Sequence, residues 1–403
     1  MKPKVICIHI GARAHYLLPK ALEAKNNLEV LITDTWVSSG LIRSVLAKFP
    51  HRLIKSFGSR YTPAIPATHI RSFSIKFLFI ELYLRYKYKN DWDRILKRNY
   101  YFEREAINIF NRGPAVNPVL GISYTSLDIF TVAKQRGQKT IVFQIDPGYK
   151  EEQIVADVVA QYGDIYTTNW KPAPSWYWQN WQKECKLADV IMANSEWSKK
   201  GLIDQGIDAG KVKILPLPFQ IEEKHRNYEK QYPSVFNKER RLRCLFLGTL
   251  TLRKGIHLVL DAASKLVHKP IEFVLVGQNE LDESLLKGLN VDYKGVASRS
   301  DTDLHYQSSD VFLFPTLSDG FGLTQLESMA WQLPVIASTY CGEVVTNGYN
   351  GIILQECNVE ELVKALLTCI ENPTYLTQLA GNCIKTVEKF SLERFANEIS
   401  DLI

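Results

Sequence analysis

The chain has 403 residues, of which 46% are hydrophobic and 23% charged, with a net charge of +6. This is globular composition of a length that fits two domains, and it excludes a disordered or fibrous chain. The nearest thing to a membrane span, Phe77–Leu84, is broken by Glu81 and far short of the ~18 apolar residues a span needs.

Taken in chain order, Val5–Ile10 reads as a buried strand. It is followed by Gly-Ala-Arg rather than a small-residue cleavage site, so it is not read as a signal peptide. Leu28–Thr33, Thr140–Ile145, Val190–Ala193 and Val212–Leu215 read as further strands of a first series. Cys244–Leu247, Glu272–Val276, Val291–Tyr293, Val311–Phe314 and Val335–Ala337 form a second. Several are apolar on consecutive residues, as parallel strands covered on both faces require. Helical stretches such as His257–Leu266 and Val359–Ile370 fall between them, which predicts βαβ units. The expected fold class is α/β, with two Rossmann-like doubly wound domains facing a central cleft. The boundaries are a first domain over 1–225, a charged linker over 226–240 and a second domain over 241–385. A C-terminal helix over 386–403 is expected to cross back to the first domain. The seven cysteines are scattered without a C-x-x-C pair, which argues against a zinc ribbon or disulfide scaffold and for a reduced, cytoplasmic setting.

Charge divides the halves. Residues 1–236 carry 34 basic and 22 acidic side chains, and residues 237–403 carry 15 and 21. The whole excess of the first half lies in residues 1–113, with 20 basic and 8 acidic groups, interleaved with aromatics over 41–61 and 82–102. Such a surface suits an anionic membrane or another anionic partner, or is simply a solvated helical face. No nucleic-acid-binding signature accompanies it.

Two stretches carry chemistry. In 311–338 a strand ends at Pro315, a loop holds Asp319-Gly320-Phe321-Gly322, and a helix follows with Glu327 in its second turn. The glycines let backbone amides approach a ligand, the helix start favours an anion, and the two carboxylates accept from sugar or ribose hydroxyls. In 244–266 a strand runs into a loop at Gly248, and Arg253-Lys254-Gly255 is expected to begin a helix. Two adjacent cations suit a diphosphate leaving group, although an Arg-Lys pair near a turn is commonly just solvated surface.

The first stretch resembles the E-x7-E region of family-4 retaining glycosyltransferases (glycosyltransferase group 1 type), which have the GT-B fold. Asp319-Gly-Phe-Gly-Leu-Thr-Gln-Leu-Glu327-Ser-Met-Ala-Trp-Gln-Leu-Pro334 stands where that family has E-G-F-G-x4-E-A-M-A-x-G-x-P. Asp319 replaces a Glu, and Trp331-Gln332 replaces a small residue followed by Gly. The second stretch is similar to G-R-L-x3-K-G, with Gly248 and Lys254-Gly255 matching and Thr249 in the usual Arg position. The resemblance implies that Glu327 binds the ribose. It implies that Asp319 and the amides of Gly320, Phe321, Gly322 and Leu323 hold the donor sugar and its phosphate. It places Gly248, Thr249, Gly277 and Val296 along the nucleotide, the last near the base, and Gly11 in a loop facing the donor phosphates. Where many relatives carry a His at a strand end, this chain has Asp146, with Glu151 and Glu152 nearby; an Asp before Pro is also a common turn residue. Arg253, Lys254, Asp319 and Asp146 are the catalytic candidates. The Trp170, Trp176, Trp178 and Trp181 cluster is read as packing or as an acceptor platform.

The implied activity is that of a retaining hexosyltransferase using a UDP- or GDP-linked sugar, with no cofactor and no metal site. It would act in the cytoplasm or peripherally at a membrane, on a glycan, lipid or small-molecule acceptor. A GT-B nucleotide-sugar epimerase and a non-catalytic sugar-nucleotide-binding protein are the alternatives.

Overall fold

The computed structural model describes residues 3–48, 57, 58, 60–113, 116–166, 168 and 170–403. Part of the first basic stretch, 49–56 with 59, lies outside the described residues. The strands Val5–His9 (β1), Leu28–Thr33 (β2), Ile70–Ser72 (β3), Val119–Ile122 (β4), Thr140–Gln144 (β5), Val190–Ala193 (β6) and Val212–Ile214 (β7) form one sheet in the order β3-β2-β1-β4-β5-β6-β7. The strands Leu242–Leu247 (β8), Ile271–Val276 (β9), Val291–Tyr293 (β10), Val311–Phe314 (β11), Val335–Ala337 (β12) and Gly351–Ile353 (β13) form a second, ordered β10-β9-β8-β11-β12-β13. All the ladders among the described residues are parallel. The chain therefore has the α/β class and the two Rossmann-like domains expected of it.

Helices cover both faces of each sheet, so the central strands are apolar throughout; every residue of Val5–His9 is buried. One core joins Tyr16, Leu17 and Leu22 to one face of the first sheet, and another joins Phe77, Phe102 and Phe110 to its other face. The strand order reverses between β1 and β4 in the first sheet and between β8 and β11 in the second. In such sheets ligands bind in the crevice at the carboxyl ends of the strands flanking that reversal.

The helix Leu392–Leu402 starts at the N-cap Ser391 and buries Phe395, Ala396 and Ile399 in the same core as Leu17, Leu18 and Leu22 of the first domain. The Ser400 hydroxyl donates to Asn27 Oδ1 at 3.0 Å. Each large apolar side chain buried there stabilises the junction by about 1.5–3 kcal/mol. The polar segment before β8 lies along the second domain, with Tyr232 and Phe236 on its core and Lys230 Nζ donating to Gln307 O at 2.7 Å.

Three strands escape the apolar-run reading. β3 and β13 are three residues each at sheet edges, and β4 is interrupted by Gly121, where a Cβ would stand 2.1 Å from Ser126 Oγ. Arg253-Lys254 also does not begin an α-helix. Leu252–Lys254 is a single 3₁₀ turn, Gly255 breaks it at φ +75°, and the helix proper is Ile256–Lys265.

The departure at Trp331-Gln332 has a physical account. Gln332 adopts φ +51°, a conformation that favours glycine, and its amide bonds the backbone of Tyr228 and Lys230. The Trp331 ring packs against His225 and Tyr228, with centroids 4.7 and 5.2 Å away. The pair ties the polar segment to the second domain.

Candidate functional site

The turn after β8 lies directly on the loop after β11. Leu317 N donates to Arg253 O at 2.8 Å, and a Cβ on Gly255 would come within 1.9 Å of Pro315 O, so only glycine lets the two loops touch. This contact presents both cations to the second loop. Arg253 Nη1 donates to Ser318 O at 2.8 Å and reaches Glu151 Oε2 at 3.5 Å, while Lys254 Nζ forms an ion pair with Asp319 Oδ2. Asp319 Oδ1 accepts from Phe321 N at 3.3 Å. Burial alone would raise the Asp319 carboxyl, but Lys254 and Arg253 outweigh it and hold it below its ordinary value. Burial likewise opposes the charge on Arg253, yet Glu151, Asp319 and Asp146 raise its pKa.

Gly322, at φ +80°, brings no side chain to cap the helix Leu323–Ala330; a Cβ there would meet the Phe314 ring at 2.5 Å. That leaves the amides of the first turn to a ligand, on the positive end of the helix. Glu327 sits one turn along, half-buried, with Oε2 accepting from the Tyr306 hydroxyl at 3.0 Å.

The opposite wall comes from the first domain. Asp146 follows β5, and its Oδ1 accepts from Gly148 N at 2.9 Å, Gln144 Nε2 at 3.0 Å and the Tyr124 hydroxyl. The bond to Gly148 is an Asx turn, so the turn reading of this residue holds whatever else it does. Burial raises its pKa against those bonds and the attraction of Arg13. Glu151, on the next helix, is pushed up to about 7 by burial in spite of Arg253. Its Oε2 accepts from Ser318 Oγ across the domain boundary at 2.9 Å.

Gly11, after β1, has φ +72°, but its amide donates to Asp34 Oδ1 at 2.8 Å. Its contribution is therefore the turn. Ala14, His15 and Tyr16 follow with φ of 45°, 52° and 59°. Left-handed L-residues cost roughly 1–2 kcal/mol each, so the fold holds this loop against its preference, as strained segments near functional sites often are. The residue it brings towards Asp146 is Arg13.

Gly248 and Gly277 sit back to back after β8 and β9; a Cβ on Gly277 would stand 1.8 Å from Gly248 O. Thr249 is half-buried beside them, and Val296 is 69% exposed in the loop after β10. The structure thus gathers Arg253, Lys254, Asp319 and Gly320–Leu323, with Asp146 facing them. Gly248, Thr249, Gly277 and Glu327 border this group, whereas Gly11 and Val296 stand in loops of their own. Among the described residues no group of His, Cys, Asp and Glu side chains has the arrangement of a metal site.

The domains meet at this point. A Cβ on Gly320 would lie 1.9 Å from Ile145 O and 2.8 Å from Asn194 Nδ2. The Gly320 carbonyl accepts from Ser195 Oγ at 2.5 Å, and Glu343 accepts from the backbone amides of Glu196 and Trp197 at 3.2 and 3.3 Å. A cavity of about 250 Å³ remains between the domains, with Asp146, Glu151, Trp170, Trp178 and Arg253 in its walls.

Residues 227–390 match the family model of glycosyl transferases group 1. The matched stretch is the second domain, less than half of the chain. It contains Gly248, Arg253, Lys254, Asp319 and Glu327. The chain is 27% identical over 168 residues to the capsular polysaccharide biosynthesis glycosyltransferase CapM of Staphylococcus aureus, covering 39% of this chain and 44% of that protein. It spans about half the length of the curated relatives it matches, 52%, 44% and 46% for three of them. Sucrose-phosphate synthase of Thermosynechococcus elongatus superposes with a TM-score of 0.67 at 17% identity, covering 99% of this chain and 98% of that one. Anabaena HepE in complex with UDP and glucose superposes with a TM-score of 0.61 at 15% identity, covering 99% of both chains. These likenesses establish the GT-B fold across the whole chain.

Outside the matched stretch, sequence reasoning passed over Arg13, Tyr124, Gln144 and Ser195. Arg13 follows the Gly11 loop and Ser195 follows the Val190–Ala193 run, and a search for polar residues at the ends of the apolar runs would have found both. Tyr124 follows β4, which the apolar-run reading did not see.

Proposed function

We propose that the protein is a retaining glycosyltransferase that moves a sugar from a UDP- or GDP-linked donor to a hydroxyl of an acceptor held between the domains. The observation that carries this is the pair of cations at 253 and 254. The turn after β8 delivers them to Asp319 and the open helix start at Gly322, at the reversal of strand order. Arg253 and Lys254 take the charge that develops on the departing diphosphate, with no metal or cofactor in the scheme. The first-turn amides share that role, Glu327 holds the ribose hydroxyls, and Gly248, Thr249 and Gly277 border the nucleotide. Asp319 is a hydroxyl acceptor for the donor sugar, set in place by Lys254. The bond from the anomeric carbon to the leaving oxygen breaks as the acceptor oxygen bonds to that carbon from the same face. The acceptor proton passes to the departing phosphate. Asp146 lines the acceptor side. HepE, whose structure holds UDP and glucose, has the same fold, and this supports a nucleotide-linked donor.

The test is a thermal-shift screen of nucleotide sugars followed by an assay of donor consumption with and without acceptors. Ligand binding raises apparent stability by mass action. Stabilisation by at least one nucleotide sugar, and consumption that acceptors accelerate with the anomeric configuration kept, is the expected result. Inversion would overturn retention, and no response to any nucleotide would overturn the donor site. Similarity to a named glycosyltransferase, CapM, favours transfer over the epimerase and non-catalytic alternatives.

The reading extends to a surface. The helix Ser74–Lys87 buries Phe77 and Leu84 against the first domain but exposes Ile75, Phe79, Leu82, Tyr83 and Tyr86. Those positions recur at i, i+4, i+7, i+8 and i+11, one face of a helix. Leu41, Ile42 and Val45 of the helix Gly40–Lys48 are exposed as well, and Lys76, Arg85, Lys87 and Lys89 flank the longer stripe. Among the described residues no helix is long and apolar enough to cross a membrane. An apolar stripe edged with cations fits the surface of an anionic membrane, entered from one side.

A further inference from the structure

A second cavity, of about 300 Å³, lies within the first domain between the helices Asp91–Phe110 and Ser175–Leu187. It and the inter-domain cavity share one wall, the stacked rings of Tyr124 and Tyr177, whose centroids are 5.3 Å apart with planes 19° from parallel. Tyr124 fixes the wall from below, since its hydroxyl donates to Asp146. Trp92 meets the edge of Tyr177 at 5.2 Å and is pinned by a bond of 2.9 Å from Nε1 to Lys171 O.

The linings of the two cavities are alike. Each combines flat aromatic surfaces with hydrogen-bonding groups and an excess of carboxyl groups. The inter-domain cavity has Asp146, Glu151, Glu152 and Glu280 against Arg253. The other has Asp93, Glu103, Asp128 and Glu184 against Lys97. Glu152, Glu103, Glu184 and the Oδ1 atom of Asp146 are already engaged with donors of the protein, so the ligand-facing chemistry falls to the remaining groups. At the second cavity Trp176 and Tyr100 remain 48% and 50% exposed. Large rings left half in water beside a polar cavity are typical binding anchors.

This pattern selects a ligand class. The C–H face of a sugar ring lies against an aromatic ring, and its hydroxyls donate to carboxylates and amides. A phosphorylated or uronic-acid acceptor would meet Asp93 and Asp128 in one cavity and Glu152 and Glu280 in the other. We propose that the two cavities are successive acceptor subsites for a neutral saccharide of at least two units. The unit that is glycosylated sits beside Asp146 and Arg253, and its neighbour crosses the Tyr124–Tyr177 wall to rest against Trp176 and Tyr100. This rests on the glycosyltransferase reading, which supplies the reason for an acceptor to sit there.

The experiment uses the full chain on a printed array of neutral and acidic glycans of one to six units, with Trp176→Ala, Tyr100→Ala and Trp176→Phe alongside. Neutral glycans of two or more units should be retained, and each alanine variant should weaken that retention by about tenfold, the worth of one stacked ring. Trp176→Phe should recover most of it. Retention of acidic glycans alone, or of no glycan, overturns the proposal, and so does an alanine variant that binds like the parent. Thermal shift with UDP and GDP on the same samples separates the two readings. It should be the same for all variants, and its absence in the parent would count against the donor site whatever the array shows.

Discussion

Lys254 and Asp319 form an ion pair between two loops that Gly255 and Pro315 hold in contact. The lysine keeps a buried carboxylate charged and places it next to the open start of a helix. In the ligand-free state the pair neutralises itself; a donor diphosphate would draw on the cation and leave Asp319 to accept from the sugar. Lys254→Ala should therefore lower kcat by about 10²–10³, the usual worth of one group stabilising a leaving oxyanion. It also strands a buried charge, so a fall in Tm is expected, and a folded Lys254→Met variant serves as the check. Steady-state rates near the parent value in both variants would remove Lys254 from the leaving-group site.

Glu327 and Asp319 should separate binding from turnover. Glu327→Gln takes charge from the proposed ribose contact and should weaken nucleotide binding about tenfold, as loss of a charge-assisted hydrogen bond does. Asp319→Asn, at the carboxylate proposed to face the donor sugar, should lower kcat more than it weakens nucleotide binding. Titration calorimetry with UDP and GDP, beside initial rates, reads both. Equal nucleotide affinity in Glu327→Gln and the parent would move the ribose contact elsewhere.

Stability should fall as pH rises from about 6.5 to 8. Burial raises Glu151 and Glu184 to about 7 and Glu103 to about 8. A carboxyl raised on folding binds its proton more tightly in the native state, so its contribution is full below the unfolded value and lost through the folded one. Buried His9 and His257 are lowered to about 4 and act in the opposite sense, but only below their ordinary value of 6.5. Above 6.5 the three glutamates outweigh Lys230, lowered to about 8 by burial, whose opposing gain sets in only as pH nears 8. The loss should be on the order of 1–2 kcal/mol, a fall in Tm of about 2–4 °C per kcal/mol. Glu103→Gln should flatten the slope. A ligand-free Tm that rises across this window would show that the three carboxyls are charged at neutral pH.

The second domain was more legible than the first, for physical reasons. Its strands are long apolar runs, and the loops of its candidate site are marked by Gly248, Gly277, Gly320 and Gly322, whose backbone geometry tolerates little else. Arg253 and Lys254 stood out as adjacent cations, but the 3₁₀ turn that aims them depends on Gly255 lying against Pro315, a contact 60 residues away in sequence. In the first domain the decisive residues are held by strain or distance. Arg13 is carried by three left-handed residues with no glycine among them, and Tyr124 is itself left-handed at φ +73° after an interrupted strand. The Asp34 bond that occupies the Gly11 amide spans 23 residues. The Trp cluster divides only in three dimensions, with Trp181 buried, Trp176 half exposed, and Trp170 and Trp178 in the cavity wall.

Gly320 should gate domain closure rather than folding. Its missing side chain lets the loop rest on Ile145 O and Asn194, in the other domain. A methyl group cannot fit at 1.9 Å, so Gly320→Ala should hold the domains apart while leaving each core intact. Closure completes such sites and shuts out water. The variant should keep nucleotide affinity within about threefold and lose kcat by about 10² or more, since small misplacements in a reacting pair cost that much. Small-angle scattering should show a larger radius of gyration. Parental rates with parental dimensions would mean that the loop adapts and closure does not depend on this contact.

The stripe on Ser74–Lys87 gives the last prediction. Among the charged side chains lining the two cavities beside the candidate reaction centre, carboxyls outnumber cations four to one in each. The cations of residues 1–113 are therefore poorly placed to recruit an anionic acceptor, and an anionic lipid surface is the partner that fits them. Attraction between exposed charges is screened over about 8 Å at physiological salt, whereas entry of Phe79 and Tyr86 into the headgroup region is not. The chain should co-sediment with phosphatidylserine-containing vesicles and release only in part as salt rises. Phe79→Ser with Tyr86→Ser should abolish the salt-resistant fraction. Both residues are exposed, at 67% and 90%, so this pair should leave Tm unchanged. Lys87→Glu with Lys89→Glu should instead remove the salt-sensitive fraction. Equal, negligible sedimentation with anionic and neutral vesicles at low salt would return the stripe to an ordinary solvated face.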